Sequence, residues 1–255
     1  MYLPKYFAYN SVNSTNDTAF ELLAKNDCVV VTAEFQTKGR GRNNKTWYGS
    51  KGQNLYYTFG INHSIDEIPL HLFQMLGGMA VFNVLNEISS KSIFRLKYPN
   101  DVYGIDSAGL PKKVSGVISE TNFTSAINCS SIIGIGINVN QTEFPKEIFE
   151  NCTSIKLLNI EIQLAQLAEK LTSEILQMLD KSSVEIFNNW KSLINLDNKK
   201  INVVSNSAIK NSDTVSSDTV TYYLKNFLED GRLVVISDAG VERIIDNGDS
   251  IRYDL

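Results

Sequence analysis

Eight consecutive residues, Cys28-Val29-Val30-Val31-Thr32-Ala33-Glu34-Phe35, constrain this chain more than any other feature. They are β-branched or apolar on both alternating positions, the pattern of a strand covered on both of its faces. The covering layers are predicted as helices. Ser14-Thr15-Asn16-Asp17 has the S-x-x-D form of a capping box ahead of Ala19, Phe20, Leu22 and Leu23, which predicts a helix to about residue 25. Residues 70–88 carry Phe73, Leu76, Ala80, Val84 and Ile88 at helical spacing, and residues 162–179 and 184–193 repeat the pattern around Leu167, Leu171, Ile175 and Trp190. Further strands are predicted at 54–59, 94–97, 114–121 and 131–139, each bounded by Gly, Asn, Asp or Pro. The sum is a mixed α/β core.

From about Lys199 the pattern changes to short β-rich runs at 202–204, 219–224, 233–237 and 243–245, separated by Gly231, Gly240 and Gly248 and preceded by a Ser-rich stretch at 205–218. Such spacing predicts a small β-barrel, so the expected domains are 1–198 and 199–255.

The chain has 255 residues and a formal net charge of −4, which argues against broad attraction to nucleic acid. Three cysteines, Cys28, Cys129 and Cys152, lack C-x-x-C spacing and predict neither a disulfide framework nor a zinc site. His63 and His71 are the only histidines, and both are expected at the surface, which leaves little material for a histidine triad or a His-based metal centre. The start of the chain lacks a signal-peptide pattern and no stretch has the length of a membrane span, so the cytoplasm is the expected location, with no DNA or membrane partner.

Four segments carry candidate chemistry. Gln36-Thr37-Lys38-Gly39-Arg40-Gly41-Arg42-Asn43-Asn44-Lys45-Thr46-Trp47 packs four cations and two glycines into one expected loop. Glycines let backbone N–H groups approach an anion, and guanidinium forks suit carboxylate or phosphate; a merely solvated basic loop is the alternative. Neither a P-loop nor a complete G-x-G-x-x-G is present. Arg95-Leu96-Lys97-Tyr98-Pro99-Asn100-Asp101 presents Asn100 and Asp101 at a strand end, either as site residues or as a plain turn. Pro111-Lys112-Lys113-Val114-Ser115-Gly116 opens another strand with a cation and a glycine three residues on. In Gly134-Ile135-Gly136-Ile137-Asn138 the glycines interrupt an apolar strand, which favours close approach of a ligand or of a helix.

In this order, Ser14-Thr15-Asn16, Gln36 with Gly39-Arg40-Gly41-Arg42, Lys97-Tyr98-Pro99-Asn100-Asp101, Lys113-x-x-Gly116 and Gly134-x-Gly136-Ile137-Asn138 resemble the biotin protein ligase family over roughly residues 10–155. The resemblance implies an α+β fold: a mixed sheet with covering helices, like that of class II aminoacyl-tRNA synthetases, followed by a small SH3-like β-barrel. It also implies the form of the family without the N-terminal DNA-binding domain. The implied activity joins biotin to ATP as biotinyl-5'-AMP and then moves biotin to a lysine of a biotin carboxyl carrier domain of a carboxylase, acetyl-CoA carboxylase first among them. Biotin and ATP enter as substrates and Mg²⁺ with the nucleotide, without a dedicated protein metal site.

By the same resemblance Lys113, Arg40 and Arg42 neutralise the reacting anions, and the Gly39-to-Arg42 loop closes over the adenylate. Ser14, Thr15, Asn16 and Gln36 line the biotin head, and Gly116 admits its backbone. Trp47 stacks on adenine or packs in the core, Asn100 lies on the substrate side, Asn138 meets the ribose, and Asp101 orients or deprotonates the incoming lysine. Tyr98 replaces the family's usual Trp, and Asn43-Asn44 replace an Arg-Gly pair. Two other readings stay open: a lipoate or octanoate ligase or transferase of the same fold, for which Cys152 is the only thiol placed late enough although its surroundings read as a helix start, and a non-catalytic biotin sensor. Monomer and homodimer are equally compatible with the sequence.

Overall fold

The computed structural model describes residues 2–42, 46–204, 219–245 and 251–255. It divides into two compact units, Met1–Leu193 and Ile194–Leu255. The first is built on β1 (Lys5–Tyr9), β2 (Cys28–Ala33), β3 (Asn54–Ser64), β4 (Phe94–Lys97), β5 (Asp101–Ile105), β6 (Pro111–Phe123) and β7 (Asn128–Asn138). These form one sheet in the order β1-β2-β3-β7-β6-β5-β4. Only β1 and β2 run parallel, and the remaining neighbours are antiparallel. The helices are α1 (Thr15–Leu23), α2 (His71–Ile88), the single turn α3 (Lys146–Phe149), α4 (Leu164–Leu179) and α5 (Ser183–Ile194).

The two-faced pattern of β2 is explained by helices on both sides. On one face Ala19 and Leu23 of α1 pack with Val29, Val31 and Ile132. On the other face of the sheet, Tyr57 of the neighbouring β3 bonds Thr172 of α4 at 2.9 Å, and α2 sits on β6 and β7 so close that a Cβ on Gly77 would lie 2.5 Å from both Ile133 and Val117. Alternation along β7 therefore sends Ile132, Gly134 and Gly136 towards α1 and its N-terminal extension, and Ile133 and Ile135 towards α2. The helix α1 has Ser14 as N-cap, its hydroxyl accepting from Asn16 N at 3.2 Å. Asp17 does not complete the expected capping box, because its carboxylate is taken by Arg40.

Two strands of this sheet were not expected. The strand β1 is a half-exposed edge too short to give a clear alternation, and β5 begins at Asp101, so the Pro99-Asn100 turn joins an antiparallel pair, β4 and β5. The second unit holds β8 (Lys200–Val204), β9 (Thr219–Phe227), β10 (Leu233–Ser237), β11 (Glu242–Ile245) and β12 (Ile251–Arg252). All pair antiparallel, in the order β11-β10-β9-β8-β12, around buried Ile201, Tyr222, Leu233, Val235, Ile245 and Ile251. This is the small SH3-like module. Gly231 and Gly240 take φ of 86° and 78° in its turns, the left-handed region that favours glycine. The Ser-rich stretch 205–218 and Gly248 lie outside the described residues.

His63 corrects the surface expectation. The strand β3 continues past Phe59 through Gly60, and His63 near its end is only 7% exposed. Its Nδ1 lies 2.9 Å from the Ser64 carbonyl and so carries the proton, leaving Nε2 to accept from Ser131 Oγ at 2.8 Å. The ring also rests 4.8 Å from that of Phe73. Burial lowers the His63 pKa below the usual histidine value. The neutral form is thus favoured in the folded chain, and its contribution is present above about pH 6.5 and lost as pH falls from there towards the lowered value. The thermal midpoint is expected to fall between pH 7 and pH 5, and less steeply in His63→Gln; identical slopes for the two proteins in calorimetry contradict this.

Candidate active site

Lys113 faces the α1 side of the sheet because of a defect in the β-ladder. Val102 of β5 pairs with Ser115 and the next residue, Tyr103, pairs with Lys113, so Val114 is an extra residue on β6. This bulge reverses the alternation, and Lys113 shares a face with Gly116 instead of with Ser115 and Val117. The segment 151–153 fills the ladder on its other side, with Lys113 N donating to Asn151 O at 2.8 Å and Thr153 N to Lys113 O at 2.9 Å. The Lys113 ammonium lies 2.7 Å from Asp101 Oδ2, the two side chains being 28% and 14% exposed. Asp101 therefore stands on Lys113, a pairing that the linear spacing did not show.

Two glycine positions form a floor beside this ion pair. Gly116 and Gly136 are partners across β6 and β7. Trp47 lies on both: a Cβ at Gly136 would meet Trp47 Cε2 at 2.5 Å, and one at Gly116 would meet Trp47 Cζ3 at 2.9 Å and Lys113 Nζ at 3.2 Å. Lys113 Nζ is 5.8 Å from the indole centroid, within cation–π range. The indole N–H is buried and has no hydrogen-bond partner among the described residues, a cost in an apolar surrounding that a ligand acceptor would remove. Gly134, two residues back, makes room for a protein group: its Cβ would lie 2.2 Å from Asn16 Oδ1.

A polar network surrounds Asn16. Gln36 Oε1 accepts from Thr15 N at 2.7 Å and from Thr15 Oγ1 at 2.9 Å. Its amide orientation is thereby fixed and Nε2 is offered as a donor. The Thr58 hydroxyl is shared between Thr15 Oγ1 at 2.9 Å and Asn16 Oδ1 at 2.8 Å. Asn16 Nδ2 donates to Glu120 Oε2 at 2.6 Å. Ser14, Thr15 and Asn16 are all buried at this N-terminal turn.

The basic segment folds back above the floor. Arg40 and Thr46 form an antiparallel bridge, and Trp47 N donates to Gly39 O at 3.2 Å. Arg40 reaches Asp17 with two hydrogen bonds of 2.8 Å and Glu120 at 3.4 Å. The bidentate contact raises the Arg40 pKa further; with both side chains more than two-fifths exposed, the pair stabilises the fold by less than about 1 kcal/mol. Gly41 and Arg42 are half-buried next to it, and Asn43, Asn44 and Lys45 lie outside the described residues.

Asn100 and Asn138 are brought close to the site as supports. Asn100 is buried under α2 and donates to Val117 O at 2.7 Å, and Asn138 donates to Thr153 O at 3.0 Å, tying the segment beside Lys113 to the sheet. Cys152 corrects another expectation: it is in a parallel bridge with Lys113 and not at a helix start. Burial and the Asp101 carboxylate push its thiol pKa up, against the opposing pull of Lys113, so it is held protonated.

Glu120 and Thr58 escaped the sequence reading. Each is a polar residue at an ordinary strand position, and only the tertiary contact with α1 singles it out. The buried pair Asn54 and Gln141, joined at 2.5 Å, likewise sits at the strand ends nearest Asn138 without any motif to announce it.

Residues 8–138 match the model of the Biotin/lipoate A/B protein ligase family. The chain is 33% identical over 150 residues to the "Bifunctional ligase/repressor BirA" of Bacillus spizizenii, covering 56% of this chain and 44% of that protein. It is 24% identical over 185 residues to a biotin–acetyl-CoA-carboxylase ligase of Mycobacterium tuberculosis, covering 68% of this chain and 63% of the other. The chain spans about half the length of the curated relatives it matches. Among solved structures, the biotin protein ligase from Aquifex aeolicus in complex with biotin and ATP superposes with a TM-score of 0.71 at 28% identity, over 98% of this chain and 99% of that one. The matched segment contains the bulged strand, the glycine floor and the basic loop, and the chain belongs to the biotin/lipoate A/B protein ligase family.

Proposed function

We propose that this chain is an ATP-dependent biotin protein ligase, which forms biotinyl-5'-AMP and transfers biotin to a lysine of the carrier domain of a biotin-dependent carboxylase. The observation that carries the proposal is the Lys113 ammonium, aimed by the Val114 bulge to the face of Gly116 and the Trp47 ring and paired with Asp101. In the first step a biotin carboxylate oxygen bonds to the α-phosphorus of ATP as the bond to pyrophosphate breaks. Two anions must meet, so the barrier falls with cations held in place before reaction. Lys113 is assigned to the carboxylate and reacting phosphate, and Arg40 and Arg42 to the phosphate side. The Gly39-Arg40-Gly41-Arg42 segment shields the mixed anhydride from water.

At the other end, the Gln36 Nε2 donor and the Ser14-Thr15-Asn16 turn receive the polar biotin head, which needs partners when buried. Trp47 supplies an aromatic face for the adenine, and Asn100 and Asn138 serve the nucleotide side through the backbone they hold. In the second step a neutral carrier lysine attacks the acyl carbon, an amide forms and AMP leaves. Asp101, relieved of Lys113, is the carboxylate placed to orient that amine or take its proton. Mg²⁺ is taken to enter with ATP, where it would neutralise phosphate charge. No helix of the described residues is long and apolar enough to cross a membrane; the cytoplasm, with no DNA or membrane partner, is the proposed setting.

The octanoyl-transfer alternative draws on Cys152 beside Lys113, but that step needs a thiolate, and the pKa shift runs the other way. Labelled biotin, lipoate and octanoate, each with ATP and a biotin carrier domain, decide between the readings. Transfer of biotin alone supports the ligase; transfer of an octanoyl or lipoyl group supports the alternative, and binding without transfer supports a sensor. Arg42→Gly is expected to release adenylate and label bystander lysines roughly tenfold more than the parent protein, an effect of about 1.4 kcal/mol on retention. Labelling confined to the carrier in that variant removes Arg42 from the lid.

A further inference from the structure

The geometry points to Glu120 as a positioning residue for the biotin-head pocket, one carboxylate that orients the Asn16 amide and seats Arg40 at the same time. Glu120 lies on β6, on the same face as Gly116, and pairs across the ladder with Ile132. Its Oε2 accepts from Asn16 Nδ2 at 2.6 Å and stands 3.4 Å from Arg40 Nη2. Asn16 has little freedom elsewhere: Thr58 faces its Oδ1 at 2.8 Å, and Gly134 lies so close beneath that a Cβ there would overlap the amide. An asparagine amide is nearly symmetric in shape, so its orientation is chosen by its partners. Glu120 accepts only, which forces Nδ2 to its side and leaves Oδ1 to Thr58. That choice propagates through the Thr58 hydroxyl to Thr15 and Gln36, the residues offered to the biotin head.

The same carboxylate helps to fix the first arginine of the basic segment. Arg40 rests on Asp17, the residue after Asn16, and on Glu120. The floor of the head pocket and the root of the lid thus share one anion. Filling the pocket and closing the segment are thereby linked through Glu120.

This inference rests on the biotin ligase reading, and the test separates the two. Glu120→Ala and Glu120→Gln are compared by steady-state pyrophosphate release and by NMR of the Asn16 side-chain amide. Glu120→Ala is expected to raise the KM for biotin about tenfold, the effect of losing one charge-assisted hydrogen bond at a partly buried site. The KM for ATP stays within about twofold over the same change, since the nucleotide does not meet Asn16 and Arg40 keeps its two 2.8 Å bonds to Asp17. In Glu120→Gln an acceptor oxygen is restored, and most of the lost biotin affinity returns. The Asn16 amide protons are expected to be protected from exchange in the parent and in Glu120→Gln and to exchange freely in Glu120→Ala. An unchanged biotin KM in Glu120→Ala, a parallel rise in both KM values with a lowered melting temperature, or an Asn16 amide equally protected in all three proteins overturns the inference. If the NMR pattern holds while the parent protein shows no biotin-dependent turnover, the positioning stands and the ligand assignment falls.

Discussion

Lys113→Ala is expected to lower biotin-dependent pyrophosphate release at least about a hundredfold, while the protein keeps its fold. A preorganised cation aimed at charge developing in the transition state is worth about 10²–10³ in rate. Lys113 is half-buried on a rigid strand and ion-paired at 2.7 Å, so little reorganisation precedes its use. Truncation also leaves the Asp101 carboxylate without its partner next to an incoming anion, which adds repulsion to the lost attraction. The bulge sharpens the test. Deleting Val114 removes the extra residue but leaves Tyr103 opposite Lys113 and Val102 opposite Ser115, so Lys113 stays on the face of Gly116 and this variant is expected to release pyrophosphate well above the rate of Lys113→Ala. Stopped-flow detection of pyrophosphate with saturating biotin and ATP measures both, and a rate within threefold of the parent in Lys113→Ala removes this residue from the chemistry.

Trp190→Ala is expected to produce the largest loss of stability, about 3–5 kcal/mol, typical of deleting a buried indole. Trp190 is fully buried in α5 and donates to the Pro99 carbonyl at 2.9 Å. Its ring also contacts Tyr98 and Phe187 at centroid distances of 5.9 and 6.1 Å. This side chain therefore clamps the turn that delivers Asn100 and Asp101 to the site. Trp190→Phe keeps most of the volume but orphans the Pro99 carbonyl, an expected cost of about 1–3 kcal/mol. Urea unfolding of the three proteins checks the order, and the folded fraction of Trp190→Phe is expected to show weaker carrier labelling because Asp101 is less well held. Equal midpoints for all three contradict the clamp.

Much of the architecture could be read in advance because it rests on pattern. The two-faced apolar run of β2, the helical spacing in α2 and α4 and the short strands after residue 199 each reflect burial that any folded form must provide. The charged and glycine-rich segments were also visible, since four cations and two glycines in twelve residues need a purpose beyond packing. What escaped depends on contacts between distant segments. Val114 looks like any strand valine, and only its unpaired place in the ladder shows that it redirects Lys113. Asp17 has the right spacing for a capping box, yet a guanidinium 23 residues away outcompetes the backbone for it. The strand expected at 54–59 left His63 outside it and on the surface; in fact a Cβ at Gly60 would press on Leu23, Ile132 and Val29 at 3.0–3.3 Å, so the glycine is there to let α1 approach a continuous strand. Gly134 and Gly136 were taken together as one opening, but the first accommodates Asn16 and the second Trp47. Glycine spacing announces a close approach and leaves unspecified what approaches.

The position of Trp47 bears on how the site fills. Its indole covers Gly116 and Gly136 with an unpartnered N–H, so a ligand entering beside Lys113 must stack against this ring or displace it. The chain has two tryptophans and the other, Trp190, is fully buried, which makes Trp47 the natural reporter of the event.

Exchange of labelled pyrophosphate into ATP, measured without any carrier domain, isolates the step assigned to Lys113 and the arginine segment. Biotin is expected to drive the exchange, and lipoate and octanoate are expected to leave it at background. Exchange driven by octanoate or lipoate in place of biotin, or no exchange with any of the three acids, contradicts the assignment of this cleft to biotin adenylation.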